Sequence, residues 1–244
     1  MEFLTAIFHT VFYQPILNVL VALYLFLPIR DLGIAIIFLT ILVRIAFYPL
    51  TRSAMRSQGA LQEIQPKIQE LRQQHKNDPQ IAGRAMMALY REHGISPFGS
   101  ILPVLVQLPI LFALFRVFLS GLTASPEVLA ADLYAFLPHP GALSPHSLMG
   151  AVDLTARSPI LAGFAGIAQF VQSSLAFRPL RNTSAKKGDM TTMLSWQMRY
   201  LFPVMTVLFA ASLPAGIALY WVVTTVFSVG QQLVFNRERA QKVT

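Results

Sequence analysis

The sequence predicts an all-α polytopic membrane protein. Of its 244 residues, 55% are hydrophobic and only 12% are charged, whereas about 25% are charged in a soluble domain. Several runs of about twenty residues are almost free of charge, and each is long enough to cross a bilayer core of roughly 30 Å as a helix. Lys and Arg gather in alternate connecting segments, which is typical of proteins that cross a membrane several times.

Residues 1–30 form the first segment, and the residues alone allow two interpretations of it. No Lys or Arg precedes Arg30, so the segment lacks the basic start of a secretory signal. Residues 12–29 are apolar but are interrupted by Gln14, Pro15 and Asn18. They fit either a membrane span or a helix lying in the outer interface.

The first clear span is predicted at residues 31–51, and Arg44 lies inside it. Arg44 is about eight residues, or about 12 Å, from the basic end of the span at Arg52. A guanidinium at this depth costs at least roughly 2.5–3.5 kcal/mol. Other parts of the chain, or a partner, must therefore compensate this charge.

Residues 52–97 are predicted to form an antiparallel hairpin of two amphipathic helices. An apolar stripe at helical spacing runs along the first helix, and Asp78 and Pro79 supply an N-cap and a first-turn proline for the second. The stripe is expected to pack between the two helices, while the basic face stays solvated. The stripe consists of Leu61, Ile64, Ile68 and Leu71.

The rest of the chain divides by the same criteria. Residues 200–234 run for 35 residues without a charge, which is about 52 Å of helix and too long for one span, so Pro214 is expected to break them into two. Gly and Ala residues at 162–166 predict close helix packing in the third span. The predicted segments are span 98–121, external loop 122–157, span 158–177, cytoplasmic loop 178–199, spans 200–213 and 214–234, and a basic tail 235–244.

The distribution of charge predicts the orientation and excludes several functions. Residues 52–97 hold seven Lys/Arg and residues 178–199 hold five, but residues 120–157 hold one, so the first two segments are expected in the cytoplasm. The net charge of +8 is therefore not evidence of a DNA partner. Apart from Asp31 at the outer edge of the first, the predicted spans contain no Asp or Glu, and the chain has no Cys and no nucleotide-binding or hydrolase motif. We expect neither enzymatic activity nor a cofactor nor a metal site.

Uncharged polar residues are the available neighbours for Arg44. Each has a simpler explanation, since Thr and Ser can bond the carbonyl four residues earlier and Gln can join helices. Together with an unpaired arginine, they predict a hydrated, positively charged groove that binds a polar or acidic group. The candidate residues are Arg44, Thr40, Gln107, Gln169, Gln172, Trp221, Tyr220, Thr224, Thr225 and Ser228.

Three stretches carry a resemblance to a known family. They are TILVRIAFYPLT followed by LQEIQPKIQELRQQHKNDPQ, then YREHGISPFGSILPVLVQLPILFALF, and finally LPAGIALYWVVTTVFSVGQQLVFNR. In this order they resemble the YidC/Oxa1/Alb3 family of membrane protein insertases, and the resemblance covers roughly Gln14 to Arg237.

The resemblance implies a core of five transmembrane helices with the N-terminus outside and the C-terminus in the cytoplasm of a bacterial plasma membrane. It favours an external interfacial helix for residues 12–29 and makes the cytoplasmic hairpin the family's C1 region, needed for activity and substrate capture. Arg44 matches the groove arginine, Thr40 the substrate-contacting threonine and Trp221 the aromatic of the last span. The implied partners are nascent membrane proteins and lipid, with the Sec translocon, the ribosome and the signal-recognition-particle receptor as candidates.

The sequence also departs from the family's pattern. It shows no large external domain and no lipoprotein cysteine, so a minimal bacterial form is expected. Arg116 stands where an uncharged aromatic is usual and is expected to reach the outer interface, and the short tail argues against a strong ribosome contact. A small channel or transporter, or an assembly factor that does not insert proteins, remains an alternative.

Overall fold

The computed structural model describes residues 2–96, 102–118, 126–141, 143–148, 150–176 and 196–243. Most of the predicted cytoplasmic loop 178–199 and both ends of the predicted span 98–121 lie outside these ranges. The described helices are α1 Glu2–Phe8, α2 Gln14–Phe26, α3 Leu32–Ala46, α4 Tyr48–Glu63, α5 Gln65–Gln74, α6 Pro79–Glu92, α7 Leu102–Arg116, α8 Pro126–Ala131, α9 Pro159–Ala176, α10 Phe202–Ser212 and α11 Ala215–Val243. Two strands, β1 His146–Ser147 and β2 Val152–Asp153, pair antiparallel.

Within the described residues, three helical segments are long and apolar enough to cross a membrane, and there are four if a bent pair of helices counts as one span. They are Glu2–Phe26, Pro159–Ala176 and Ala215–Gln241, with α3 and α4 as the bent pair. The first of them joins α1 to α2 through the π-helical turn His9–Tyr13. By length and composition it could be a span, so the interfacial placement of residues 12–29 stays a prediction, as does the five-span core.

The structure bends the predicted span 31–51 sharply. α3 ends at Ala46 and α4 begins at Tyr48, with an angle of 62° between them. The cause is Pro49, which has no N–H to donate to the carbonyl of Ile45, so the helical hydrogen-bond ladder is interrupted there. Phe47 occupies the break and donates its N–H to the Val43 carbonyl at 3.0 Å.

Pro214 does break the long charge-free segment, as the sequence predicted. α10 ends at Ser212, and Leu213 takes the extended conformation that a residue before proline prefers. α11 then runs without interruption to Val243. The predicted last span and basic tail are therefore one continuous helix of 29 residues, and the residues of the tail extend it.

The largest apolar core joins α2, α3 and α7 to the start of α11. Leu20, Ala35 and Ala113 are completely buried in it, and the ring of Phe118 packs directly on Gly216. A second contact, between α9, α10 and α11, is built from Ala162, Ala165, Ala210 and Ala218. The close packing that small residues predicted for the third span is thus confirmed.

The segment 132–157 fastens several helices at one end of the molecule. Asn18 donates to the carbonyl of Asp132 and accepts from the N–H of Tyr134. Ser147, which is fully buried, donates to the carboxylate of Asp31 and accepts from the N–H of Gly33 at 2.6 Å. These bonds satisfy groups that the first turn of α3 leaves free.

The same segment also fastens the start of α11. Ala215 donates to the carbonyl of Ala156 at 2.7 Å, and Gly216 donates to the carbonyl of Leu154 at 2.9 Å. The first N–H groups of α11 are thereby satisfied by backbone carbonyls of the segment. The two capped helices, α3 and α11, also pack against each other.

The apolar residues of α4 and α5 pack against α6 and the residue beyond it. Ile64 and Ile68 are buried against Leu89 of α6 and Ile95 beyond it, and Leu61 and Leu71 pack at the edge of this cluster. Asp78 caps α6 by accepting from the N–H groups of Gln80 and Ile81. The cytoplasmic position of this pair stays a prediction.

Candidate functional site

Arg44 lies on the wall of a cavity between α3, α4 and α7. Val43, Arg44 and Phe47 line it from the α3 side, Leu50 and Thr51 from α4, and Gln107 and Ile110 from α7. Arg44 faces this space because α3 places it one turn before the bend at Phe47. The cavity therefore combines one cation with an amide, a hydroxyl and apolar walls.

A group of polar side chains surrounds the Tyr220 hydroxyl beside this cavity. Tyr220 is 3% exposed, and Gln107 donates its amide N–H to the phenolic oxygen. Arg44 and Thr224 also lie close enough to act electrostatically on this phenol. Four of the predicted site residues, from α3, α7 and α11, are thus brought together.

Unsatisfied polar atoms mark this region. The Nε of Arg44 and the Oε1 of Gln231 are buried and have no hydrogen-bond partner in the described part of the chain. A buried donor or acceptor left without a partner costs about 1–3 kcal/mol. Such atoms are expected where a ligand or water completes the hydrogen bonding.

No carboxylate of the described residues forms an ion pair with Arg44. The three ion pairs found in these ranges join His9 to Asp132, Arg52 to Glu238 and Arg239 to Glu63. The cavity is therefore left with positive charge. The described ranges also contain no cluster of three or more His, Asp or Glu side chains that could bind a metal.

Other predicted site residues bond within their own helices. Thr40 is fully buried and donates to the carbonyl of Ile36 at 2.6 Å, and Ser228 donates to the carbonyl of Thr224 at 2.9 Å. Gln169 donates to the hydroxyl of Ser173, one turn later on α9, at 3.4 Å. These are the local bonds that Ser and Thr commonly make in helices, so a role in binding stays a prediction for them.

The remaining candidates lie on α9 and α11. Trp221 packs edge-on against Phe209 of α10, with ring centroids 5.7 Å apart. Thr225 is buried on α11, and Gln172 is half-buried on α9. Their proposed roles in the groove are likewise predictions.

Thr51 and Gln231 belong to the cavity region but were absent from the predicted set. Gln231 donates to the hydroxyl of Thr51 across α11 and α4 at 3.3 Å, and its Oε1 is buried without a partner in the described residues. The sequence contains a usable signal, because Gln231 lies seven residues after Thr224 and so on the same face of the helix.

Arg116, the other arginine in an apolar helix, is placed differently. Its guanidinium lies over the ring of Tyr13, 5.1 Å from the ring centroid. This is the geometry of a cation–π contact. The contact explains how the charge is accommodated without an acidic partner in its own helix.

Comparisons with known proteins agree with the resemblance seen in the sequence. A family model described as 60Kd inner membrane protein matches residues 22–242. Two similar relatives are proteins named Membrane protein insertase YidC. The one from Geobacter sulfurreducens is 32% identical over 205 residues, which cover 84% of this chain and 34% of the relative. The one from Wolinella succinogenes is 34% identical over 230 residues, which cover 94% of this chain and 38% of the relative. The chain thus spans about a third of the length of these relatives.

A solved structure also resembles this chain. It is described as an active YidC insertase crystal structure with the first transmembrane domain resolved. The TM-score is 0.58 at 25% sequence identity, and the match covers 90% of this chain and 46% of the solved one. Since the family model covers nearly the whole sequence, the chain belongs to the 60Kd inner membrane protein family, the YidC/Oxa1 family of membrane proteins.

Proposed function

We propose that this chain is a membrane protein insertase and chaperone. It receives the hydrophilic segment of a nascent membrane protein in a positively charged groove that is open to the cytoplasm and to lipid, and then releases the apolar helix into the bilayer. The observation that carries the proposal is Arg44, which faces a cavity, has a buried and unpartnered Nε, and forms no ion pair with the described carboxylates. Relatives named as insertases support the same activity.

The mechanism follows from charge and solvation. A polar segment entering hydrocarbon must give up water, and Arg44 offsets part of this cost by hydrogen bonding and by attraction to acidic groups. The amide of Gln107 and the hydroxyl groups of Tyr220 and Thr224 add uncharged hydrogen-bonding capacity beside it. Burial of the substrate's apolar helix in lipid then supplies the driving free energy, so neither covalent chemistry nor a nucleotide is needed.

The proposed arrangement in the membrane has five spans, with the N-terminus outside and the C-terminus in the cytoplasm. Residues 52–97 are then the cytoplasmic C1 hairpin, and residues 122–157 are external. The number of basic residues in each connecting segment supports this orientation. The Sec translocon, the ribosome and the signal-recognition-particle receptor are proposed partners, and insertion can proceed with or without the translocon.

Insertion into liposomes tests the proposal. The purified chain is mixed with a single-span substrate that carries an acidic translocated tail, and protection of the tail from protease is measured. Arg44→Glu should reduce protection about 10- to 150-fold, the range expected for losing a hydrogen bond to a charged group. Arg44→Lys keeps the charge and should retain much of the activity.

Two controls make the result specific. Arg157→Glu changes the net charge equally at an exposed position before α9 and should insert normally. A substrate with a neutral tail should depend less on Arg44. Full insertion of the acidic tail by Arg44→Glu would refute the electrostatic mechanism, and ion flux without substrate protein would favour a channel.

A further inference from the structure

Two ion pairs join the far end of α11 to α4. Arg52 donates to the carboxylate of Glu238 at 2.7 Å, and Arg239 donates to the carboxylate of Glu63. Each helix contributes one cation and one anion, so the arrangement is reciprocal. We call these four residues the α4–α11 latch.

Gly59 makes room for one half of the latch. A Cβ atom at this position would lie 2.5 Å from Nη1 of Arg239 and 3.1 Å from its Cζ. The guanidinium therefore occupies the space above Gly59, and it also lies over the ring of Phe235, 5.9 Å from the centroid. Any larger residue at position 59 must displace Arg239.

Polar contacts hold α4 in place, since apolar burial does so only weakly. Gly59 is the only buried residue of α4, although the helix is 16 residues long. Besides the latch, Gln62 donates to the carbonyl of Ala176 at the end of α9, and Thr51 accepts from Gln231 of α11. The direction of α4 after the bend is therefore set by a few hydrogen bonds and ion pairs.

The same helix forms an edge of the Arg44 cavity. Leu50 and Thr51 line the cavity and come directly before Arg52 of the latch. A rotation of α4 about the break at Phe47 would move both residues relative to Arg44. The position of the latch and the shape of the cavity are thus mechanically connected through one turn of helix.

We propose that Arg52, Glu63, Glu238 and Arg239 are positioning residues for insertion. They hold α4 against α11, so that Leu50 and Thr51 close the cavity wall beside Arg44. The inference rests on the proposed insertase function and deepens it. The side chains of the latch are 36–67% exposed, so salt screens their attraction and the hold on α4 is weak enough to be released.

Gly59→Ala tests the latch without changing any charge. The added methyl displaces Arg239 from Glu63, while alanine suits a helix interior better than glycine. Gly163→Ala in α9 is the matched control, because a Cβ there meets no atom within 4 Å. The chain has no cysteine, so Ser53→Cys and Ala240→Cys can carry spin labels that report the α4–α11 distance.

The expected results are a longer or broader label distance and insertion reduced roughly 1.5- to 5-fold for Gly59→Ala, the range for losing one exposed ion pair. Gly163→Ala should change neither. The double charge exchange Glu63→Arg with Arg239→Glu should restore both values relative to either single change. In an Arg44→Lys background, Gly59→Ala should cost less than in the native chain, because both changes act on one cavity.

Each contrary outcome has a distinct meaning. An unchanged label distance in Gly59→Ala would overturn the latch itself. Lengthened distance with unchanged insertion, or losses that simply add in the Arg44→Lys background, would overturn its positioning role. Failure of the unmodified chain to insert any substrate would overturn the proposed function, and the label distance would still report on the latch.

Discussion

Replacing Ser147 by alanine should destabilise the protein substantially. The hydroxyl of this fully buried residue accepts from the N–H of Gly33 and donates to the carboxylate of Asp31, which is 8% exposed. Losing the acceptor leaves a buried N–H unsatisfied at about 1–3 kcal/mol, and losing a hydrogen bond to a charged group adds about 1.5–3 kcal/mol. Since Asp31 keeps its bond to the N–H of Ile34 at 3.0 Å, we expect about 2–5 kcal/mol in total.

Denaturant unfolding in detergent measures this loss, and hydrogen exchange at the N-terminus of α3 locates it. Ser144→Ala is the matched control, because the exposed hydroxyl of Ser144 makes one long bond of 3.3 Å to the carbonyl of His146. That variant should stay within about 0.5 kcal/mol of the native chain. A loss below 1 kcal/mol for Ser147→Ala would refute the assignment of Ser147 as the link between the segment 132–157 and α3.

Two further variants test packing and local electrostatics. Gly166→Val should destabilise the α9–α10 contact by about 1–3 kcal/mol in the same unfolding assay, because a Cβ there would overlap Val207, whereas Gly163→Val meets open space and should be nearly neutral. Thr155 donates hydrogen bonds that lower the pKa of the Asp153 carboxyl, so Thr155→Val should raise that pKa in an NMR titration. Because the pKa of Asp153 is lower in the folded state, its ionised carboxyl stabilises the fold above the unfolded pKa of about 3.9, and this stabilisation is lost as the pH falls through the folded pKa. The difference in stability between Thr155→Val and the native chain should therefore disappear only in acid.

Length, charge and proline placement made the helices predictable. A charge-free run that is too long for one membrane span must contain a helix break, and Pro214 is the residue expected to cause it. The structure has the break there, between α10 and α11. Pro49 gave a similar signal, but sequence alone does not distinguish the end of a helix from a bend. The two outcomes differ in the direction of the chain after the proline. Contacts between α4 and α11 determine this direction.

The residue types that form the site could be predicted from the sequence, but the contacts that each residue makes could be predicted much less well. Arg44, Gln107, Tyr220 and Thr224 come together because an unpaired arginine and mid-span polar groups all avoid hydrocarbon. Thr40 instead donates its hydroxyl to the Ile36 carbonyl in its own helix. Such a local hydrogen bond competes with any long-range contact that a buried hydroxyl could make.

The latch and the capping bonds of the segment 132–157 could not have been predicted. They join residues that lie between 59 and 186 positions apart, and no periodicity relates such residues. Only the packed arrangement of the helices brings these groups within hydrogen-bonding distance.

The segment 132–157 is hydrogen-bonded to the N-termini of α3 and α11. The residues of the segment that make these two connections should differ in how well they tolerate mutation. The anchor on α3 depends on the hydroxyl of Ser147, so few substitutions preserve it. The anchor on α11 uses only backbone groups of Leu154, Ala156, Ala215 and Gly216, so its hydrogen bonds need no particular side-chain group. Position 156, whose side chain is exposed, can therefore change while the joint is kept, and position 147 becomes the vulnerable point of this end of the protein.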